Sequence, residues 1–403
     1  MMSSLSQNKL KGYLRSDGRK GIRNLVVIAY LVECAHHVAR EIMMHFHGRP
    51  VQLIGFGGCY PNAYADKMMN ALCTHPNVGA VLLVSLGCES FNRKRLYQTI
   101  EESGRPVKLL GIQAIGGTKK TIADGVEFIS SALDEIKKVP IVDLEVSELV
   151  VGVVSGGSDA TSGITANPAA GKAFDIIVEK GGTSIFENIG EMIGLDDLIS
   201  ERGITPGLRS ELKKAMEKSA RYYTIMGHGS FAPGNAEGGL TTQEEKGIGA
   251  YYKGGTAPIS GIIKPADIPL HKGLYLMDIV PDGEPRFGFP NVNDSSEIAE
   301  LIASGAHCVL FTTGRGSVVG SAISPVIKIC ANPDTYKRME DDMDINAGKI
   351  LSEEVSVSEV GQEIFDKIIS VASGEPSCSE GLGHQEFVLG YKTFEPIGPS
   401  CQP

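Results

Sequence analysis

Four stretches near the start of the chain are apolar at almost every position rather than at every second one. They are Leu25-Val-Val-Ile-Ala-Tyr-Leu-Val32, Val51-Gln-Leu-Ile-Gly-Phe56, Ala80-Val-Leu-Leu-Val-Ser-Leu86 and Val107-Lys-Leu-Leu-Gly-Ile112. Continuous apolar runs of this length, bounded by turn residues, predict strands buried on both faces, as in a parallel sheet. Between them lie amphipathic segments; residues 35–46 carry Val38, Ile42 and Phe46 at helical spacing, opposite Arg40 and His45. The alternation predicts four βα units from Asn24 to about Lys138 and a doubly wound parallel sheet. His45 and His47 fall at the exposed end of a helix, where they read as solvated residues rather than ligands.

After Val139-Pro140 the pattern restarts with Leu149-Val-Val-Gly-Val-Val154. A domain boundary is expected within residues 139–147, dividing the chain into 1–142 and 143–403 and giving an α/β protein with two Rossmann-like parallel-sheet domains. In the second domain the clear pieces are a βα unit over 150–180, the strand Thr183-Ser-Ile-Phe186 with its helix, a helix over 296–304 leading into His307-Cys-Val-Leu-Phe311, and Val326-Ile-Lys-Ile329. Residues 226–290 are rich in glycine and proline, and long loop-rich stretches inside compact domains are often functional. From about Ser373 the tail is polar and irregular and is expected to lie over the surface or against a partner.

With 403 residues the chain exceeds the size at which a single core usually keeps growing. A net charge of -10 argues against nucleic-acid binding, since phosphate contacts need a basic surface. No apolar run is long enough to span a bilayer, and Met1-Met-Ser-Ser-Leu-Ser-Gln-Asn-Lys-Leu10 lacks the apolar core of a secretory signal. A cytoplasmic protein with reduced thiols is the expectation.

Against that background the placement of three of the eight cysteines stands out. Cys34, Cys59 and Cys88 each follow one of the first three apolar runs, where the chain turns from strand to helix. Successive parallel strands would deliver all three to the carboxyl edge of one sheet, where open α/β sheets bind ligands. A buried cysteine is more often a small hydrophobe, and Cys73, Cys308 and Cys330 sit inside apolar segments as that reading requires. The recurring topological position of the trio makes it a candidate metal-binding or catalytic set. Glu89, His36 and His37 adjoin the same edge and are candidate acid-base groups.

Other segments are suited to anions. Asp17-Gly-Arg-Lys-Gly-Ile-Arg-Asn24 offers Arg19 and Arg23, whose guanidinium forks match carboxylate, sulfonate or phosphate oxygens, with Asn24 beside them. Gly156-Gly-Ser-Asp-Ala-Thr-Ser-Gly163 runs from a strand toward a helix expected near Pro168 with Asn167 as its cap, and can present backbone N–H groups to an anion. Thr312-Thr-Gly-Arg-Gly-Ser317 follows another strand and supplies Arg315. Gly234-Asn-Ala-Glu-Gly-Gly-Leu-Thr-Thr-Gln-Glu-Glu-Lys246 gathers carboxylates, an amide and a lysine before a helix. None is a Walker loop or a dinucleotide fingerprint.

Taken in order, these blocks resemble the altronate and galactarate dehydratases, with Gly116-Gly-Thr-Lys-Lys-Thr121 and Asp342-Met-Asp-Ile-Asn-Ala-Gly348 matching as well. A further set resembles the branch of that family formed by the large subunits of sulfolactate sulfo-lyases: Tyr30-Leu-Val-Glu-Cys-Ala-His-His37, Gly55-Phe-Gly-Gly-Cys-Tyr-Pro-Asn62, His228-Gly-Ser-Phe231, Pro285-Arg-Phe-Gly-Phe-Pro-Asn291 and Leu382-Gly-His-Gln-Glu-Phe387. The resemblance implies a lyase that removes the C2 proton of a small anionic hydroxy acid and expels a group from C3. In that branch the reaction gives pyruvate and sulfite; in the dehydratases water leaves. It further implies iron, as a ferrous ion or a [4Fe-4S] cluster on Cys34, Cys59 and Cys88. It implies substrate contacts from Arg19, Arg23, Asn24, Ser158, Asp159, Asn167, Asn235 and Arg315, and a small (alpha) subunit supplying the N-terminal module that the dehydratases carry in one chain, within an oligomer. Family members often place a cysteine just before the glycine loop, where this chain has Ser155. The alternatives are an iron-dependent sugar-acid dehydratase and a non-catalytic iron-binding or redox protein.

Overall fold

The apolar runs become parallel strands, and the order of those strands decides where a site can form. The computed structural model describes residues 10–187, 189–226, 230–282 and 293–392. The family-like segments at 228–229 and 285–291 and the tail beyond 392 lie outside the described residues.

Strands β1 (Leu10–Leu14) and β2 (Lys20–Gly21) pair antiparallel ahead of the first domain. Strands β3 (Leu25–Tyr30), β4 (Val51–Gly55), β5 (Val78–Ser85) and β6 (Val107–Gly111) then form a parallel sheet in the order β4-β3-β5-β6. β5 is buried along its whole length, which is why it shows no alternation. Helices Glu33–Met44 and Thr118–Ile136 cover one face, packing Val38, Ile42, Ile129 and Leu133 on Val26, Ile28, Leu82 and Val84. Helices Ala63–Cys73 and Arg93–Glu102 cover the other with Met68, Leu72, Leu96 and Ile100. This is the doubly wound domain that the pattern predicts.

Strand β7 (Ile141–Leu144) runs back antiparallel along β1, so the segment between the domains is tied to the beginning of the chain. The second domain is built on β8 (Val150–Ser155), β9 (Thr183–Glu187), β10 (Ile259–Ile263), β11 (Gly273–Met277), β12 (Cys308–Thr313), β13 (Val326–Cys330) and β14 (Ile345–Asn346). They form one parallel sheet in the order β10-β11-β9-β8-β12-β13-β14. Its core runs without a break into the face of the first sheet covered by helices Ala63–Cys73 and Arg93–Glu102. The two sheets therefore share one hydrophobic core on that side.

Both sheets reverse their strand order once. In the first sheet the chain steps from β3 to β4 and then returns to the other side of β3 as β5; in the second it leaves β8 for β9 and returns as β12. Crevices open at such switch points outside the carboxyl ends of the strands. Cys34 lies in the first turn of the helix after β3 and Cys88 in the loop after β5, and the loops after β8 and β12 carry Gly157 and Arg315. Among the described residues no helix is long and apolar enough to cross a membrane.

Two local expectations differ from the structure. Asn167 does not cap its helix: the helix is Ala166–Glu179, Thr165 stands at the cap position, and Asn167 lies in the first turn. Proline tolerates the first turn in general, so Pro168 marks the start only to within a residue or two. The tail is also less superficial than its polarity suggests. Leu389 and Lys392 are buried, because the chain returns between the two domains.

Candidate functional site

The loops at the carboxyl edge of the first sheet are laced together by their backbones. The Glu33 N–H donates to Gly57 O at 3.2 Å, and the Ser90 N–H donates to Cys59 O at 2.9 Å. Gly87 turns the chain after β5 at φ +128°, a conformation that favours glycine. Cys34, Cys59 and Cys88 are all free and exposed here. Among the described residues, however, no group of three histidine, cysteine or acidic side chains is arranged to hold a metal ion. The trio shares an edge without forming a ligand nest, so no chemical step is derived through iron.

The acid-base candidates on this edge are occupied in different ways. The Glu89 side chain is enclosed and accepts from Ser85 Oγ and, at 2.8 Å, from the Gly87 N–H, with Arg93 3.6 Å away. Burial alone would raise its pKa, but these donors outweigh it and hold Glu89 below the ordinary value. That suits an anionic loop staple better than a proton donor. His36 stacks on Tyr30 at 4.8 Å and pairs with Glu33 at 2.9 Å, whereas His37 is exposed.

Arg19, Arg23 and Asn24 precede β3, so the same topology places them at the opposite, amino-terminal end of the sheet. Arg19 binds Asp17 at 2.7 Å and Thr74 O at 2.6 Å. Arg23 forms a bidentate pair with Glu380 at 2.7 and 2.8 Å, and Asn24 donates to Ile136 O. These residues fasten the loop to both domains and are not brought together with the other candidates.

At the second edge the glycine loop after β8 closes against the loop after β12, with Gly314 and Arg315 N–H groups donating to Gly157 O at 2.9 and 3.1 Å. A Cβ at Gly314 would stand 2.1 Å from Asp159 Oδ1, so only glycine permits this closure. Asp159 Oδ1 accepts from the backbone and hydroxyl of both Thr161 and Ser162, and Oδ2 accepts from Asn332 at 2.9 Å. Asp159 thus shapes the loop. Ser158 and Asn167 line a cavity of about 160 Å³ together with Lys246, and the buried Asn167 Oδ1 has no hydrogen-bond partner among the described residues. Asn235 joins the loop through Nδ2 to Ser158 O at 3.1 Å and approaches Lys246 Nζ at 3.4 Å through Oδ1. Arg315 sits at the rim, half-exposed and 3.3 Å from Glu237.

From Lys246 a chain of charged contacts runs inward. Lys246 Nζ is 3.0 Å from Glu191 Oε1, Glu191 Oε2 accepts from Ser155 Oγ at 3.0 Å, and Lys253 Nζ donates to Ser155 Oγ at 2.6 Å. Lys253 is fully buried, 3.7 Å from Glu191. Burial pushes the Glu191 pKa up, but the two lysines outweigh it and the net shift is down. Lys253 is lowered by burial, against the pull of Glu191 and Glu187. Next to this ion cluster stand carboxyls with the opposite tendency. Burial, then the charge of Glu297, drives Glu187 well above its ordinary value. Burial raises Glu297 to about 7, and burial with Glu191 raises Asp294 to about 6. A buried cation pair beside carboxyls that titrate near neutrality is the composition of an acid-base site for an anionic substrate.

Glu187, Glu191, Lys253, Asp294 and Glu297 lie outside the sequence motifs, and Lys246 only ends one of them. A signal was present. Asp294, Glu297 and Glu300 recur every third residue on a helix whose other positions are largely apolar, and Lys246 and Lys253 are two turns apart on one helix. Charges at core-facing spacing are costly unless used or paired.

The two edges meet through the tail. Tyr391 packs edge-on against Phe56 at 5.4 Å beside the Cys59 loop, and the next residue, Lys392, reaches Glu300 at 2.6 Å. Tyr64, just after that loop, donates to the same Glu300 oxygen at 2.5 Å.

Comparison with known proteins gives the family. Residues 12–137 match the second domain of D-galactarate dehydratase/altronate hydrolase, and residues 146–394 match the C-terminal domain of D-galactarate/altronate dehydratase. The chain is 32% identical to the (2R)-sulfolactate sulfo-lyase subunit beta of Chromohalobacter salexigens, over 94% of this chain and 96% of that protein. It is 28% identical to the altronate dehydratase of Bacillus subtilis, covering 91% of this chain and 74% of the relative. It is 29% identical to the galactarate dehydratase (L-threo-forming) of Escherichia coli, covering 91% and 73%. Both matched segments and the lyase and dehydratase relatives point the same way: the chain is an enzyme of the lyase class and belongs to the D-galactarate/altronate dehydratase family.

Proposed function

We propose that the chain is the large subunit of a two-subunit lyase that cleaves (2R)-3-sulfolactate to pyruvate and sulfite. A base takes the C2 proton, the electrons of that bond form the C2–C3 double bond, and the C3–S bond breaks with its pair leaving on sulfite. The enol of pyruvate that remains takes a proton at C3 to give the keto acid. The observation that carries the reading is the buried network Lys246–Glu191–Ser155–Lys253 beside Glu187 and Glu297. Lys246, which lines the cavity, suits an anionic group of the substrate, and a carboxyl poised near neutrality suits abstraction of a weakly acidic proton. Glu297, electrostatically coupled to Glu187, is assigned as that base.

The choice of substrate is supported by the 32% identity to a sulfolactate sulfo-lyase beta subunit along nearly the whole of both chains. That relative is named as a subunit, which supports a separate small partner. Dehydration of an altronate-type or galactarate-type acid is the second reading, supported by the dehydratase relatives; it needs the same C2 chemistry with hydroxide leaving. Iron is retained as a proposed requirement. The deciding experiment mixes the chain with its small subunit, with and without ferrous iron, and measures sulfite and pyruvate from 3-sulfolactate against keto-deoxy acid from altronate. Equal yields of sulfite and pyruvate are expected. Keto-deoxy acid alone would assign the chain to the dehydratases.

A further inference from the structure

Lys392 is a cation in a place that costs free energy to fill. Its side chain and that of Glu300 are both fully buried, 2.6 Å apart, and Glu300 Oε1 also accepts from Tyr64 Oη. The three groups come from three places: the tail, the helix Asp294–Ala303 of the second domain, and the helix Ala63–Cys73 of the first. Among the described residues Glu300 Oε2 is buried without a hydrogen bond, and the partners this carboxylate has fall on its other oxygen. Burial raises the Glu300 pKa, and the ammonium and the Tyr64 hydroxyl both pull against it in favour of the charged form. Glu297 lies three residues back on the same helix, on the same face. Among the described residues, the charged and titratable groups around the pair are Asp294 on its own helix, Glu187, Glu191, Lys253 and Tyr223 from the second domain, Tyr64 from the first, and Lys392 from the tail.

We propose that Lys392 is a positioning residue of the reaction centre: paired with the carboxylate of Glu300, which Tyr64 also holds, it sets with that opposite charge the charge that Glu297 carries. The proposal rests on the assignment of Glu297 as the base. It gives the tail a role beyond packing, because the residue before Lys392 lies against the Cys59 loop while Lys392 itself governs the second edge.

Opposite substitutions give opposite signs, which damage to the fold does not. Lys392→Met removes the cation, so Glu297 holds its proton to higher pH; Glu300→Gln removes the anion and leaves the cation, so Glu297 releases its proton at lower pH. In the assembled two-subunit enzyme the acid limb of the kcat/KM profile is expected to move up by about one pH unit in Lys392→Met and down in Glu300→Gln, with Lys392→Arg close to the parent. The same shifts are expected in the carboxyl infrared band that Glu297→Gln abolishes, read without substrate. A failure of the proposed function thus appears as absent turnover, while the infrared titration still decides the coupling. If Lys392→Met does not fold, Lys392→Gln replaces it, with the same upward shift of the band expected. Shifts of the same sign in Lys392→Met and Glu300→Gln, or no shift in either, overturn the proposal.

Discussion

Lys253 Nζ donates to Ser155 Oγ at 2.6 Å, in a pocket where the lysine has no contact with solvent. A serine at the end of β8 thereby couples a buried cation to Glu191, whose other oxygen meets Lys246. The network accounts for two lysines inside a protein core, since each ammonium faces Glu191.

Lys253→Met leaves Glu191 with one lysine instead of two. Breaking a buried pair by removing one partner costs about 3–5 kcal/mol. Chemical denaturation is expected to show a loss on that scale, and turnover to fall by about 10²-fold or more because Glu191 then draws on Lys246 alone and takes that cation from the substrate. Ser155→Ala is expected to lose less stability, about 1–3 kcal/mol, because the two charges stay and only the bridging hydroxyl goes. Equal stability of Lys253→Met and the parent would show that the pair is not formed in solution.

The site carboxyls carry a stability signature with a definite sign. Glu297 ionises at about 7 in the folded chain, above the ordinary 4.5. The folded state therefore binds the extra proton, and its contribution is present at low pH and lost as pH rises through about 7. Glu297→Gln removes that penalty and is expected to be more stable than the parent at pH 8 by on the order of 2 kcal/mol, with the gap closing toward pH 5. Thermal melts at the two pH values measure it; a gap that widened on acidification would contradict the assignment.

Much of the architecture was legible in the hydrophobic pattern. Residues 25–32, 51–56, 80–86 and 107–112 read as strands and became β3 to β6, because full burial on both faces leaves a signal that needs no knowledge of the partners. The second switch point was legible as glycine loops at 156–163 and 314–317. The charged site was not. Glu187, Lys253 and Glu297 come from distant segments, and each alone looks like an ordinary polar residue in an element. Their meaning lies in burial and mutual approach, which only the folded chain supplies. Arg23 shows the converse: its fork looks suited to a ligand, and the structure gives it Glu380 instead.

Glu89 is expected to act on stability rather than on turnover. Glu89→Gln weakens acceptance from Ser85 and Gly87 and removes the charge facing Arg93, so the loop around Cys88 should loosen. A loss of about 1–3 kcal/mol is expected, with the residual activity following the folded fraction. Turnover lost in a variant that melts like the parent would return Glu89 to the catalytic group.

The thiols should divide cleanly by position. Cys34, Cys59 and Cys88 are exposed, while Cys73 and Cys308 are buried and their pKa values are pushed up to about 12 by burial. Brief alkylation of the native chain followed by peptide mapping is expected to label the first three and spare Cys73 and Cys308 until the protein unfolds. If iron loading protected Cys34, Cys59 and Cys88 together, the three loops would have to close further than they do here. Protection that Cys88→Ser left unchanged would exclude thiolate ligation.

The central claim is that proton abstraction takes place at the buried carboxyls of the second edge. It is tested most directly by measuring sulfite release from 3-sulfolactate in the assembled enzyme, comparing the parent, Glu297→Gln and Glu89→Gln at pH 8. The expected result is sulfite and pyruvate in equal amounts from the parent, a loss of about 10²-fold or more in Glu297→Gln, and activity largely kept in folded Glu89→Gln. Parent-level sulfite release by Glu297→Gln, with Glu89→Gln inactive, would move the reaction to the cysteine edge and contradict the account.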